Sequence, residues 1–156
     1  MSTPEQFRGL MREVTDSIAG HALNLALQDR LNREFGPTSA VYRGIFEACK
    51  SAVAAGWMCK HEAAGIRYGR VIKPAEDLAG YSVDVVDMDN LAGPYHAHPN
   101  GEIDLIMPLA GPARFDGHDA GWLVYGPDSA HSPTVNGGRA LVLYLLPQGA
   151  IEFTRD

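Results

Sequence analysis

His96 and His98 stand two residues apart in the run Gly93-Pro94-Tyr95-His96-Ala97-His98-Pro99-Asn100-Gly101-Glu102-Ile103-Asp104, and Glu102 and Asp104 repeat that spacing. In an extended chain, residues at i and i+2 project from one face, so each pair presents its polar atoms together. Whether the two pairs meet depends on the turn between them. A two-residue Asn100-Gly101 turn would send the carboxylates to the face opposite the imidazoles. A three-residue loop, with Pro99 at the first corner of a type I turn and Gly101 left-handed, pairs His98 with Glu102 and His96 with Asp104. We read the three-residue loop. Imidazole nitrogens and carboxylate oxygens converging on one point form a donor set for a divalent transition metal. The plainer alternative is a polar surface hairpin. Against it, the residues after Glu102 are apolar on both faces, as in a buried strand. Charges beside such a strand need partners or a metal.

A third imidazole is available from Gly126-Pro127-Asp128-Ser129-Ala130-His131-Ser132-Pro133, where two prolines and a glycine make a rigid loop presenting His131. His96, His98, Glu102 and His131 are then the expected metal ligands, with one or two positions open for water or substrate. This set suits Fe, Mn, Ni, Zn or Co alike. His21, His61 and His118 read as solvated or packed side chains.

The elements that must position these residues change character at Gly56. Before it, Thr3-Pro4-Glu5-Gln6 reads as a capping box opening a helix. Phe7, Leu10, Met11, Val14 and Ile18 continue it at helical spacing. Gly20 interrupts before Leu23, Leu27 and Leu31, and a third helix runs from near Thr38 or Ser39 to Gly56. After Gly56 come short runs bounded by Gly, Pro and Asp: Trp57–Lys60, Ile66–Ile72, Tyr81–Met88, and the histidine hairpin. Ala113–Phe115 and Gly121–Tyr125 follow around an Asp116-Gly117 turn, then Ala140–Leu146 and Ile151–Phe153. The expectation is a mainly β protein, a sandwich or double-sheet jelly-roll barrel over 56–156, with a helical segment over 1–55 packed on it as a single domain. The outer face at Ile103, Leu105 and Met107 is apolar, so helices or a second subunit should cover it.

Composition narrows the function classes. The chain has 156 residues, 46% hydrophobic and 21% charged, with a formal net charge of −6, which disfavours non-specific nucleic-acid binding. Two cysteines, Cys49 and Cys59, provide no disulfide framework, and neither a signal sequence nor a membrane-length apolar run is apparent. A soluble, cytoplasmic protein is expected.

The Gly93…His96-x-His98…Glu102 segment, followed by Gly121…Pro127…His131…Asn136, resembles the two cupin motifs. The glycine closing the first motif falls late, at Gly111, and Ser129 occupies the usual glycine position of the second. Both departures concern loop shape. The resemblance implies a cupin-like barrel, metal inside, in a homodimer. A closer resemblance spans nearly the whole chain. The runs Gly56-Trp57, Gly69-Arg70-Val71, His98-Pro99-Asn100-Gly101-Glu102-Ile103-Asp104, Phe115-Asp116-Gly117 and Tyr144-Leu145-Leu146-Pro147 look like the p-hydroxylaminobenzoate lyase family. That implies conversion of 4-hydroxylaminobenzoate to 3,4-dihydroxybenzoate (protocatechuate) and ammonia in nitroaromatic degradation.

Substrate plus water balances to product plus ammonia, so the reaction calls for no nicotinamide or flavin. A metal need act only as a Lewis acid. Glu102 and Asp104 are the candidate proton-transfer residues. The substrate carboxylate wants a cation, ideally arginine. Among Arg67, Arg70, Arg114 and Arg139 in the strand region, Arg70 is preferred. Tyr95, Tyr125 and Tyr144 are alternative proton donors, and Tyr125 and Tyr144 are also candidates at the substrate. A cupin dioxygenase acting on an aromatic ring, or a metal-holding sensor of a small aromatic acid, would fit the same donors.

Overall fold

A computed structural model describes residues 3–153. Three helices open the chain: α1 (Pro4–Ile18), α2 (Leu25–Phe35) and α3 (Ala40–Ala55). The capping box forms as the sequence implies, with Thr3 and Gln6 exchanging backbone and side-chain hydrogen bonds. Asn24 and Ser39 cap α2 and α3. Gly56, left-handed at φ 86°, ends α3.

Ten strands follow: β1 (His61–Ala63), β2 (Ile66–Ile72), β3 (Tyr81–Ala92), β4 (His96–His98), β5 (Glu102–Ala110), β6 (Arg114–Phe115), β7 (Gly121–Tyr125), β8 (Ser129–His131), β9 (Thr134–Pro147) and β10 (Glu152–Phe153). Among the described residues after α3, the only helical turn is the 3-10 segment Glu76–Leu78. They form two antiparallel sheets. The larger runs β1-β2-β3-β9-β5-β7, with β6 also on β9; the smaller runs β10-β4-β8. The fold is a mainly β, cupin-like double-sheet barrel with an N-terminal helical segment.

The larger sheet is apolar on both faces. Ile103, Leu105 and Met107 point outward and pack with Val83, Val85, Leu141, Leu143 and Leu145 against helix residues Phe7, Met11, Leu31 and Ile45. Each such side chain contributes about 1.5–3 kcal/mol on burial. The intervening residues Ile106, Val142, Tyr144 and Leu146 point inward with Met88, Phe115 and Val135. α2 also closes the free edge of β7. Asn32 accepts from Trp122 N and donates to Trp122 O, while Gln28 accepts from Val124 N. Two helix side chains thereby satisfy backbone groups that an edge strand would leave open to aggregation. No helix among the described residues is long and apolar enough to cross a membrane.

Four local expectations need correction. Trp57–Lys60 is not a strand. Trp57 N and Met58 N fold back onto Ala52 O, and Trp57 packs edge-on against Phe7, so this apolar run extends the helical layer. Residues 113–115 and 121–125 do not form a hairpin, because β6 pairs with β9 and β7 with β5. The His131 segment is a strand, β8, rather than a loop. β4 and β5 do not pair at all. β4 lies between β8 and β10, and β5 between β7 and β9. The turn closed by Gly101 N donating to His98 O carries the chain from one sheet to the other. Gly101 is needed there: φ is 90°, and a Cβ would come within 2.8 Å of Tyr125 O.

Candidate metal centre

β4 and β8 present the histidines from the smaller sheet, and β5 presents the carboxylates from the facing one. His96 and His131 are directly opposed across β4 and β8, so their rings share a face; His98, two residues along, joins them. Alternation on β5 puts Glu102, Asp104 and Ile106 inside. His96, His98 and Glu102 therefore do converge with His131, though by opposition of two sheets and not across a hairpin, while Asp104 shares the face of Glu102 and stays outside the cluster.

Donor atoms of His96, His98, Glu102 and His131 all lie within 4.8 Å of one another. Glu102 Oε1 is 3.3 Å from His96 Nε2 and 3.4 Å from His98 Nε2, and Oε2 is 3.3 Å from His131 Nε2. These separations are long for charge-assisted hydrogen bonds, which run about 2.7–2.9 Å. His98 Nε2, His131 Nε2 and Glu102 Oε2 are indeed buried without a hydrogen-bond partner. Ligands held about 2.1 Å from a common ion in tetrahedral or octahedral directions stand roughly 3.0–3.4 Å apart. The Glu102–histidine spacing and the orphaned atoms both fit a divalent metal ion.

Each imidazole is oriented by its other nitrogen. His98 Nδ1 meets Ser129 Oγ at 2.6 Å, His131 Nδ1 meets Asp116 Oδ2 at 2.5 Å, and His96 Nδ1 is 3.3 Å from Pro94 O. With Nδ1 engaged, Nε2 is left to face the centre. Asp116 and Ser129 had not stood out as functional. Ser129 could have been suspected from its place two residues before His131. Asp116 reads as a turn residue, and its separation from His131 follows no local spacing rule.

The electrostatics are set by burial and pairing. Burial pushes the His98 imidazole down to about 4. Burial also acts to lower His131, but the hydrogen bond to Asp116 and the facing Glu102 carboxylate outweigh it and bring that ring up to about 9. Burial would raise Glu102, yet the facing His131 and His96 imidazoles hold it low. Asp104 is fully buried with both oxygens unpartnered, and burial plus the neighbouring Glu102 charge push its carboxyl well above the carboxylate range.

The register also locates the other candidates. Directly paired residues point the same way, and one row across the sheet reads Arg70–Asp84–Tyr144–Asp104–Leu123. Arg70 therefore stands on the metal side of the sheet. Arg67 and Arg139 stand on the opposite face, in register with Asp87 and Asp89, and Arg114 forms an exposed pair with Asp119. Arg70 is already paired, through Nε and Nη2 to Asp84 and Nη2 to Gly149 O. Tyr144 is buried with its ring 6.4 Å from His96. Tyr125 lies 4.5 Å from the His131 ring and 5.4 Å from that of His98, with its hydroxyl on Asp116. It is a wall of the centre whose hydrogen bond is already used. Tyr95 is half exposed.

Residues 9–153 match a family model described as 4-hydroxylaminobenzoate lyase. The chain is 33% identical to a 4-hydroxylaminobenzoate lyase of Nocardioides sp. (strain LMS-CY), covering 98% of this chain and 96% of that one. It is 29% identical to a protein of the same name from Pseudomonas putida, covering 98% and 97%. An RmlC-like cupin protein from Ralstonia eutropha JMP134 aligns with a TM-score of 0.43 at 15% identity, over 60% of this chain and 62% of that one.

Proposed function

The chain belongs to the 4-hydroxylaminobenzoate lyase family, and we propose that it converts 4-hydroxylaminobenzoate and water to 3,4-dihydroxybenzoate and ammonia at the His96–His98–Glu102–His131 centre. The observation that carries this reading is the inner row of the larger sheet. It sets an arginine, Arg70, at one end and a buried carboxyl, Asp104, beside the metal donors at the other.

Arg70 and Asp104 are three strand spacings apart, roughly 14 Å between backbones. A para-substituted benzoate lying along that row would meet Arg70 at one end and Asp104 at the other. Asp84 and Gly149 O take donors from Nε and Nη2 of Arg70. A guanidinium has five N–H donors, so the Nη1 pair remains to bind the substrate carboxylate. Tyr144 flanks the ring. The four donors would hold a divalent ion, which supplies Lewis acidity toward the hydroxylamino oxygen and acidifies water. Asp104, kept protonated by burial, donates to the departing oxygen. Its carboxylate then accepts a proton from the water oxygen that adds to the adjacent ring carbon. That addition leaves an imine at the neighbouring carbon. A second water hydrolyses it to a carbonyl and ammonia, and loss of the ring proton gives the catechol. Because the departed oxygen leaves as water, one water is consumed net and no external electron donor or acceptor is needed. The apolar interior keeps these charges in a low effective dielectric, where each acts more strongly.

The test is an anaerobic assay of metal-loaded protein with 4-hydroxylaminobenzoate. Stoichiometric ammonia and catechol product are expected. Turnover only with oxygen would replace this reading with a dioxygenase, and binding without product under either atmosphere would replace it with a sensor.

A further inference from the structure

Asp116 ends β6 in a left-handed turn conformation (φ 49°) and makes three hydrogen bonds. Its Oδ2 accepts from His131 Nδ1 and from the Tyr125 hydroxyl, each at 2.5 Å. Its Oδ1 accepts from Thr134 N at 2.9 Å. The carboxylate side chain is only 14% exposed. Three donors from β8, β7 and β9 thus converge on one anion, and one of those donors belongs to a metal-facing imidazole.

We infer that Asp116 is a positioning residue that fixes His131 as the Nδ1–H tautomer and so sets the affinity of the centre for its metal. This rests on the metal reading above. A neutral imidazole has one N–H and one lone pair. With the proton held on Nδ1 by Asp116, the lone pair stands on Nε2, 3.3 Å from Glu102 Oε2 and facing the centre. A carboxylate–histidine pair of this kind orients the ring and raises its basicity toward a metal. Tyr125 and Thr134 hold the carboxylate in place and contribute no atom to the donor set.

Asp116→Asn isolates the effect. Asparagine is nearly the same size and tolerates the left-handed backbone, but it offers one acceptor and one NH2. If the NH2 faces His131 it donates to Nδ1, which forces the proton onto Nε2 and removes the lone pair from the centre. If the amide is flipped, the NH2 opposes Thr134 N–H, donor against donor. Neither orientation satisfies all three partners.

The probe is Zn(II), titrated against a competing chelator on metal-stripped protein, with circular dichroism to verify the fold. Asp116→Asn should weaken Zn(II) binding about 10–100-fold. Tyr125→Phe, which spares the Asp116–His131 bond, should change it less than about threefold, within the scatter of an uninvolved hydrogen bond. Nitrogen-15 NMR of zinc-loaded wild-type protein should show His131 protonated at Nδ1; protonation at Nε2 would overturn the inference even if the variant does not fold. An Asp116→Asn affinity within threefold of wild type would overturn it as well. His98→Ala separates the two readings. If His98→Ala loses zinc and Asp116→Asn does not, only the role of Asp116 fails. If wild-type protein takes up no zinc, the metal reading fails and the inference with it.

Discussion

Arg70 and Asp84 stand directly opposite each other on β2 and β3, with Arg70 Nε 2.8 Å from Asp84 Oδ1 and the pair on the same sheet face as Asp104. The arginine is thereby fixed in orientation before any substrate arrives. Asp84 is raised by burial and relieved by this partner, so truncating Arg70 alone would strand a largely buried carboxyl.

The double variant Arg70→Ala/Asp84→Asn avoids that penalty. It should raise KM for 4-hydroxylaminobenzoate about tenfold to a hundredfold, the loss of a charge-assisted contact of about 1.5–3 kcal/mol. Steady-state kinetics test this, with an analogue lacking the carboxylate as control. An unchanged KM would remove Arg70 from the substrate site.

Asp104→Asn should lower kcat about 10²–10⁴-fold, the range of a positioned proton donor, while metal content stays near wild type. Metal analysis beside single-turnover kinetics distinguishes this from ligand loss. A variant that loses its metal would make Asp104 part of the donor set instead.

The stability of metal-free protein should fall as pH rises above about 6.5. The raised Asp104 carboxyl disfavours the folded state once the unfolded chain ionises it, and His131 adds to the loss. On the acid side Asp104 and His98 oppose each other. His131 is raised to about 9, so its contribution is complete below 6.5 and is lost as pH rises through 9. His98 is lowered to about 4, so unfolding is increasingly favoured as pH falls from 6.5 toward 4. Glu102, held low, adds loss in the same acid direction below its ordinary 4.5. Denaturant melts across pH 4–10 check the shape. Zn(II) binding near pH 7.5 should also release about one proton, from His131, measurable by calorimetry in buffers of different ionisation enthalpy.

Asn32→Ala should cost about 1–2 kcal/mol and promote self-association, because Trp122 N and O lose the partner that covers the unpaired edge of β7. Urea melts and light scattering measure both. Wild-type behaviour in each would show that α2 covers the edge by packing alone.

Local chemistry made the helices legible. Thr3-Pro4-Glu5-Gln6 and Gly56 carry start and stop signals whose physics acts within a few residues, and both act as read. Period-two alternation likewise placed Glu102 and Asp104 on one face and Ile103, Leu105 and Met107 on the other. The four donors His96, His98, Glu102 and His131 could be named because residue type and spacing restrict them to few roles. What the sequence could not convey was partnership between distant strands. Alternation says which face a side chain takes but not which sheet lies opposite, so the turn at Gly101 reads equally well as a hairpin or as a crossing between sheets. The same ambiguity hid Asp116. Nothing local ties it to His131, fifteen residues away in the chain; only the stacking of β6, β7, β8 and β9 at one end of the barrel brings three donors to its carboxylate.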